Sequence, residues 1–411
     1  MGVTPFEESL AVLRIRDFRC FLGVRFFATL ASQMQTLVVS WQVYQLTKDP
    51  LALGLIGLIE AVAFIGVSLW AGHFADRREK RSIILGTQLI LLFCSGLLMM
   101  MAMQPRPSLI WIYGIIAVTG LARSFLWPAS FAYSELTVPR EIYSRAAALN
   151  STGWEIGSIL GPAIGGAIYA WKGPAAGYGA VVILAVLALG FALQLGQKPP
   201  QAGSPSEAEQ TDLWSGIRFV FSKRIILAAL TLDMFAVLFG GAYAVLPIFA
   251  DYMKVGPVGL GWLRAAPSVG AILMAVYQSY RSPLQRVGQT LLLMVTCFGV
   301  SMIAFAFSKL FWLSWVLLAA SGAFDNVSVV IRASILQAFT PNSMRGRVSS
   351  VNGIFIGSSN EIGAFESGLA ARLMGLVPSV IFGGVMTLVT VAWVFWQFPD
   401  LRRLGAIHRP E

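Results

Sequence analysis

The sequence predicts an all-α integral membrane protein with twelve transmembrane helices arranged as two parallel six-helix repeats. Three observations carry that prediction. Of 411 residues, 56% are apolar and only 12% charged, where a water-soluble domain carries about 25% charged residues. The apolar residues gather in runs of the roughly 20 residues that a helix needs to cross a bilayer. One polar stretch, residues 197–211, rich in Pro, Ser and Glu, has the composition of a flexible linker and divides the runs into two sets of six.

The first run, 19–46, follows a lead bearing Glu7, Glu8, Arg14, Arg16 and Asp17, which lacks the pattern of a cleaved signal peptide, so the run is expected to remain as a span. The second, 51–74, opens after Asp49-Pro50 and stops at the charges of 76–81. The third, 82–103, ends at Gln104-Pro105, and the fourth, 108–134, stops short of Glu135 and Pro139. Lys172-Gly173-Pro174 separates the fifth, 143–171, from the sixth, 175–196. Beyond the linker Asp212 suits an N-cap, and Leu213, Trp214, Ile217, Val220 and Phe221 share one side, the pattern of a short amphipathic helix lying on a membrane surface. The seventh and eighth runs, 225–250 and 257–279, flank Lys254 and Pro257. The ninth, 286–308, follows Ser282-Pro283; the tenth, 311–338, follows Ser308-Lys309; the eleventh, 345–374, follows Thr340-Pro341; and the twelfth, 376–397, follows Gly375. The domains read from these runs are 1–196, a cytoplasmic linker with its amphipathic helix at 197–224, and 225–411.

With both termini placed in the cytoplasm, 20 of the 30 basic residues fall on that side, six on the other, and Arg25, Arg123, Arg264 and Arg332 inside spans. Positive residues are retained on the cytoplasmic side. The split therefore predicts a multi-pass membrane protein with both ends cytoplasmic. It also accounts for the formal charge of +10 without a nucleic-acid partner; anionic lipid is the contact it suggests.

The halves are related by a shift of 202 residues, which carries Gly120, Pro139, Arg145 and Asn150 onto Gly322, Pro341, Arg347 and Asn352. Because six is even, the repeats enter the membrane with the same polarity, an organisation of transporters that rock about a midplane site.

Two motifs sharpen this. Gly72, Asp76, Arg77, Lys80 and Arg81 follow the pattern G-x-x-x-D-R-x-x-[RK]-[RK], and Gly157, Gly161, Pro162, Gly165 and Gly166 follow G-x-x-x-G-P-x-x-G-G. Both resemble signatures of the major facilitator superfamily. In that family the first is a loop that latches the cytoplasmic gate, and the second is an exporter element. Physically, glycines four apart let helix backbones touch, and proline removes a hydrogen bond where the helix bends. Arg25, Ala75-Asp76-Arg77, Gly216-Ile217-Arg218 and the run Thr340-Pro341 through Met344, Gly346, Arg347 and Val348 resemble the enterobactin-exporter-like branch, the transmembrane secretion effector group. The resemblance implies the major facilitator fold and efflux of a small organic molecule, siderophore-like or lipophilic and drug-like.

A charge at the centre of a span costs roughly 2.5–3.5 kcal/mol on insertion scales, so each has to be accounted for. Arg25, Thr29, Ser32 and Thr36 line one side of the first span; Thr119, Arg123, Trp127, Ser130 and Ser134 line the fourth; Ser321, Asp325, Ser328 and Arg332 line the tenth. The resembled fold lines its cavity with the first, fourth, seventh and tenth spans. Arg25, Ser32, Gln33, Thr36, Arg123, Trp127, Tyr243 and Arg332 are the expected cavity residues, with Gln35 and Trp41 as further sources of hydrogen bonds and stacking. Arg123 and Asp325 are repeat-equivalent, and Arg25 and Asp233 nearly so, which predicts two ion pairs across the halves; static structural bridges are the alternative. Asn150 and Asn352 are expected to satisfy backbone at helix starts.

With His73 and His408 outside the membrane interior, a coupling proton has to ride on a buried carboxylate, and Asp233, Asp325, Glu155 and Glu361 are the candidates, ahead of Glu60 and Glu366. Cys20, Cys94 and Cys297 are scattered, so no metal, cofactor or disulfide framework is expected. No phosphate-binding loop and no nucleophile–base set is found, so the chain is not read as an enzyme. The reading is a monomeric secondary exporter of a small molecule working by proton antiport with alternating access. An uptake symporter and a non-transporting membrane protein that keeps the fold are the alternatives.

Overall fold

The computed structural model describes residues 12–139, 142–198, 213–280, 285–341 and 344–406. Their regular structure is helical. In chain order the helices are α1 (Arg16–Thr47), α2 (Pro50–Arg77), α3 (Lys80–Ala102), α4 (Leu109–Thr137), α5 (Tyr143–Leu193), α6 (Leu213–Ser222), α7 (Arg224–Gly240), α8 (Leu246–Tyr252), α9 (Gly256–Ser279), α10 (Val287–Phe307), α11 (Phe311–Phe339), α12 (Arg345–Met374), α13 (Leu376–Gln397) and α14 (Pro399–Arg402).

Local chemistry sets the boundaries. Between α1 and α2, Lys48 takes a left-handed backbone (φ 52°), and the Asp49 carboxylate accepts the Leu51 amide at 3.0 Å, capping α2 with Pro50 at its first position. α5 contains two helices joined at Gly173, whose φ of 77° and ψ of −174° suit a residue without Cβ. The expected seventh span is interrupted. α7 ends at Gly240, a short 3₁₀ turn spans Tyr243–Val245, and α8 restarts with Pro247 in its first turn. An apolar run stays unbroken across Gly240-Gly241, so hydropathy alone hides this break.

Among the described residues, nine segments are long and apolar enough to cross a membrane, against the twelve spans read from the sequence. The joined segment Arg145–Leu193 covers two of the expected spans. The expected first and eleventh are the helices α1 and α12, whose charges and polar stripes keep them out of that set.

The chain forms two compact units. Unit 1 comprises Met1–Leu46, Ile59–Ala202 and Gly256–Ala265; unit 2 comprises Thr47–Leu58, Gly203–Val255 and Ala266–Glu411. Lipid is as apolar as leucine, so helices associate in a bilayer through close packing and hydrogen bonds. In unit 1, α3 packs on α4 and α5, and Cys20, Phe21, Ile84, Tyr133 and Leu195 share one buried cluster. Tyr133 donates its hydroxyl to the Gly196 carbonyl at 3.1 Å, and Lys198 pairs with Asp17 at 2.9 Å, tying the end of α5 to the start of α1. In unit 2, α7 packs on α12 and α13, and α10 on α11 and α13. In α6, Val220 is fully buried in the unit 2 core with Ile217 packed against it, Gly216 lies against Arg347, and Phe221 is exposed.

A contact recurs in the two units at repeat-equivalent glycines. A Cβ on Gly120 of α4 would stand 3.1 Å from Ala63 Cβ of α2, and one on Gly322 of α11 would strike the Pro267 backbone of α9. The 202-residue shift thus relates a packing interaction as well as letters.

Candidate functional site

Each unit holds an ion pair between two of its helices, partly exposed in unit 1 and buried in unit 2. In unit 1, Arg123 of α4 donates to Glu60 of α2 at 3.2 Å, one turn from the Gly120 contact that brings these helices together. In unit 2, Arg332 of α11 pairs with Asp233 of α7, and both side chains are buried. Arg332 Nε also donates to the Ser328 carbonyl at 3.4 Å. These partners differ from the expected ones: Arg123 holds Glu60 where Asp325 was anticipated, and Asp233 holds Arg332 where Arg25 was. Repeat arithmetic identifies equivalent positions, but side-chain reach within one packed unit decides the partner. Removing one member of a buried pair typically costs about 3–5 kcal/mol, because the other is left charged and uncompensated. Asp325, Glu155 and Glu361 each have interacting neighbours.

The polar residues of α1 are largely spent on neighbouring helices. Gln33 donates to Ser158 Oγ at 3.0 Å, Gln35 accepts from Ser95 at 2.9 Å, and Gln42 accepts from the Tyr178 hydroxyl at 2.7 Å. Thr36 bonds back to the Ser32 carbonyl, and Arg264 of α9 donates to Ser40 at 3.4 Å. Gln33 and Gln35, read from sequence as solute contacts, therefore fasten α1 to α5 and α3. Trp127 and Tyr243 are substantially exposed, the latter in the 3₁₀ turn.

The glycine element of α5 packs on α1. A Cβ added at Gly157 would stand 2.9 Å from Thr29, at Gly161 2.8 Å from Gln33 Cβ, and at Gly165 2.9 Å from Met34. One at Gly166 would collide with the Pro257 carbonyl at the start of α9, and Gly261 meets the Pro162 carbonyl in the same way. Pro162 lies inside α5, where its missing amide frees a carbonyl and allows a bend.

A second cluster, absent from the sequence-derived site, sits at the α1–α2 turn. Lys48 pairs with Asp251 at the end of α8 (3.1 Å), and Asp49 with Arg372 at the end of α12 (2.6 Å). Beneath these pairs α2 touches α12: a Cβ on Gly57 would stand 2.6 Å from Ala364 Cβ, and one on Gly368 would stand 2.6 Å from Gly54 Cα. All of these residues belong to unit 2. The signal for them in sequence was weak: Lys48 and Arg372 entered only the count of basic residues, Asp49 marked a helix start, and nothing singled out Asp251.

Of the expected gating loop, Lys80 and Arg81 have described side chains. Lys80 is buried with Nζ 3.4 Å from the Arg78 carbonyl, and Arg81 donates to the Leu193 carbonyl at 3.0 Å. The side chains of Gly72, Asp76 and Arg77 lie outside the described ones.

The model of the Major Facilitator Superfamily matches residues 21–364. The chain belongs to the Major Facilitator Superfamily. Over 406 residues this major facilitator chain is 27% identical to the "Enterobactin exporter EntS" of Shigella flexneri, covering 96% of this chain and 95% of that protein. It is 26% identical, with the same coverage, to the protein of that name from Escherichia coli O1:K1 / APEC. Its fold resembles a bacterial homologue of the human lysosomal transporter Spinster in an inward-facing, unoccupied conformation (TM-score 0.71, 14% identity, 98% of this chain and 99% of that one). It also resembles the D323A mutant of the nucleoside transporter NupG (TM-score 0.69, 13% identity, 92% and 100%). The protein is a multi-pass membrane transporter of small molecules and not an enzyme.

Proposed function

We propose that this major facilitator protein is a twelve-span secondary exporter, with domains 1–196 and 225–411 as its halves and both termini in the cytoplasm. It moves a siderophore-like or lipophilic organic molecule out of a bacterial cytoplasm or inner leaflet by proton antiport. The observation that carries the coupling is the buried Asp233–Arg332 pair. An ionisable residue inside a membrane is by default functional, with its partner named, and this carboxylate changes its charge balance whenever a proton replaces Arg332 as its partner. Asp325, Glu155 and Glu361 are the further proton carriers, on the reading that hydrogen ions enter as solute leaves. Export over uptake is supported by the packed glycine face of α5 and by full-length similarity to proteins named as enterobactin exporters.

Transport alternates by rocking of the two halves about a midplane site. The protein works as a monomer in contact with membrane lipid. The test of the coupling residue is Asp233→Asn in everted vesicles. It should abolish solute movement driven by a pH gradient while leaving gradient-free solute exchange measurable; gradient-driven transport at the wild-type rate would remove Asp233 from the role.

A further inference from the structure

Three short segments of unit 2 carry a surplus of positive charge. Residues 217–226, 285–289 and 395–404 hold Arg218, Lys223, Arg224, Arg286, Arg402 and Arg403 against the single acid Asp400. All of these cations except Arg402 are exposed, and none makes an ion pair among the described residues. By contrast Lys48 and Arg372, which sit where α12 ends, each hold an aspartate.

Packing brings the segments to one corner. The end of α7 meets α13 well before the end of that helix: a Cβ on Gly383 would strike the Phe239 carbonyl, and the rings of Phe239 and Phe382 lie 6.3 Å apart. α14, which follows α13, also packs on α7. Gly383 is 14 residues from Gln397, about 21 Å along the helix, so only the Arg224 end of α7 reaches α14, and Ile226 and Leu401 share one buried cluster. α10 enters the same corner, because the Gly288 amide donates to the Leu404 carbonyl at 3.2 Å and a Cβ on Gly288 would strike the Leu401 carbonyl. Arg286 precedes that contact by two residues.

Aromatic side chains stand at the same level. The Arg402 guanidinium lies over the Phe395 ring, 4.5 Å from its centroid, and Lys223 Nζ lies 5.8 Å from the Phe219 centroid. Trp393, Trp396 and Phe221 are exposed beside them. Tryptophan is enriched where a membrane meets water, which puts this last turn of α13, and the cations packed around it, at the depth of the phospholipid phosphates.

We propose that the corner where α14 ties α7, α10 and α13 together binds the headgroups of anionic phospholipids, with the acyl chains along the exposed tryptophans of α13. It lies at the end of the helices that the split of basic residues assigns to the cytoplasm. Neither export direction nor proton antiport enters the proposal.

The test uses the full chain in detergent, with dioctanoyl phosphatidylglycerol and dioctanoyl phosphatidylcholine as probes and lipid occupancy read by native mass spectrometry. A Lys or Arg near a charged surface contributes about fivefold, the equivalent of roughly 1 kcal/mol. Wild type is expected to bind the anionic lipid at least about tenfold more tightly than the zwitterionic one. Arg286→Gln with Arg403→Gln should weaken the anionic lipid about twenty-five-fold and leave the zwitterionic one unmoved, while Arg286→Lys with Arg403→Lys should keep the preference. Lys172→Gln with Lys309→Gln removes the same net charge from other loops and should change neither. No preference in wild type, or an equal loss in the Lys172 and Lys309 variant, overturns the proposal. Displacement of the lipid by millimolar inorganic phosphate, or by polyglutamate, would assign the corner to a free anion or an acidic polypeptide and overturn it as well. A photoactivatable phosphatidylglycerol should crosslink chiefly within residues 393–404; crosslinks spread evenly along the helices contradict the site.

Discussion

Neutralising the ion pairs at the α1–α2 turn is expected to shift the protein toward a state in which residues 47–58 separate from the ends of α8 and α12. The pairs Lys48–Asp251 and Asp49–Arg372 are about half exposed. Exposed pairs contribute only about 0.2–1 kcal/mol each, so losing both weakens the contact by ~0.4–2 kcal/mol. At 1.4 kcal/mol per decade this is a roughly two- to thirtyfold rise in the separated population. The glycine contacts beneath set a larger scale, because a side chain at Gly57 has to displace Ala364 and the Glu361 carbonyl, 2.6 and 2.8 Å away from its Cβ. Spin labels at Leu51 and Leu373, read by pulsed electron resonance in nanodiscs, measure the two populations. Lys48→Gln with Asp49→Asn should raise the long-distance fraction by that factor. Raising salt on wild type should move it the same way, since exposed charges are screened over about 8 Å at physiological ionic strength. Asp49→Arg with Arg372→Asp should recover part of the loss. A long-distance fraction unmoved by both the double neutralisation and salt would refute the reasoning.

Other outcomes follow from the same geometry. Asp233→Asn should destabilise the detergent-solubilised protein by about 3–5 kcal/mol, while replacing Asp233 and Arg332 together by Leu and Met should recover most of that; heated samples followed by size-exclusion chromatography would show it, and a double variant as unstable as the single one contradicts the pairing. Gly161→Leu should separate α5 from α1 and reduce transport severely at near-normal expression, whereas Gly153→Ala, whose Cβ would meet Leu22 Cδ1 at an ordinary 3.8 Å, should be tolerated. Gln35→Leu leaves the Ser95 hydroxyl its α3 carbonyl acceptor at Leu91 and should cost about 1 kcal/mol of stability with no change in solute preference; a changed preference would return Gln35 to the pathway.

The helices were legible because each bilayer-length apolar run is punctuated by Pro, Gly or charge, as at Asp49-Pro50 and Lys172-Gly173-Pro174. The break after Gly240 was not, since no polar residue marks it. Within the site, single-helix stripes singled out Arg25, Arg123 and Arg332 as charges inside spans. They gave no partners, because Glu60 and Arg123 are 63 residues apart and meet only through the glycine contact of α2 with α4. Gln33 and Gln35 show the converse: amide side chains that look available on one helix are taken by serines of others. Asn150, expected to satisfy backbone at a helix start, has its side-chain oxygen buried with no hydrogen-bond partner among the described residues.

Solute uptake into everted membrane vesicles under an imposed pH gradient tests the central claim most directly. Proton-coupled export predicts uptake that rises when the vesicle interior is made acidic and collapses on addition of a protonophore, with Asp233→Asn insensitive to both. Uptake of a transported solute at the same rate with and without the gradient would contradict it.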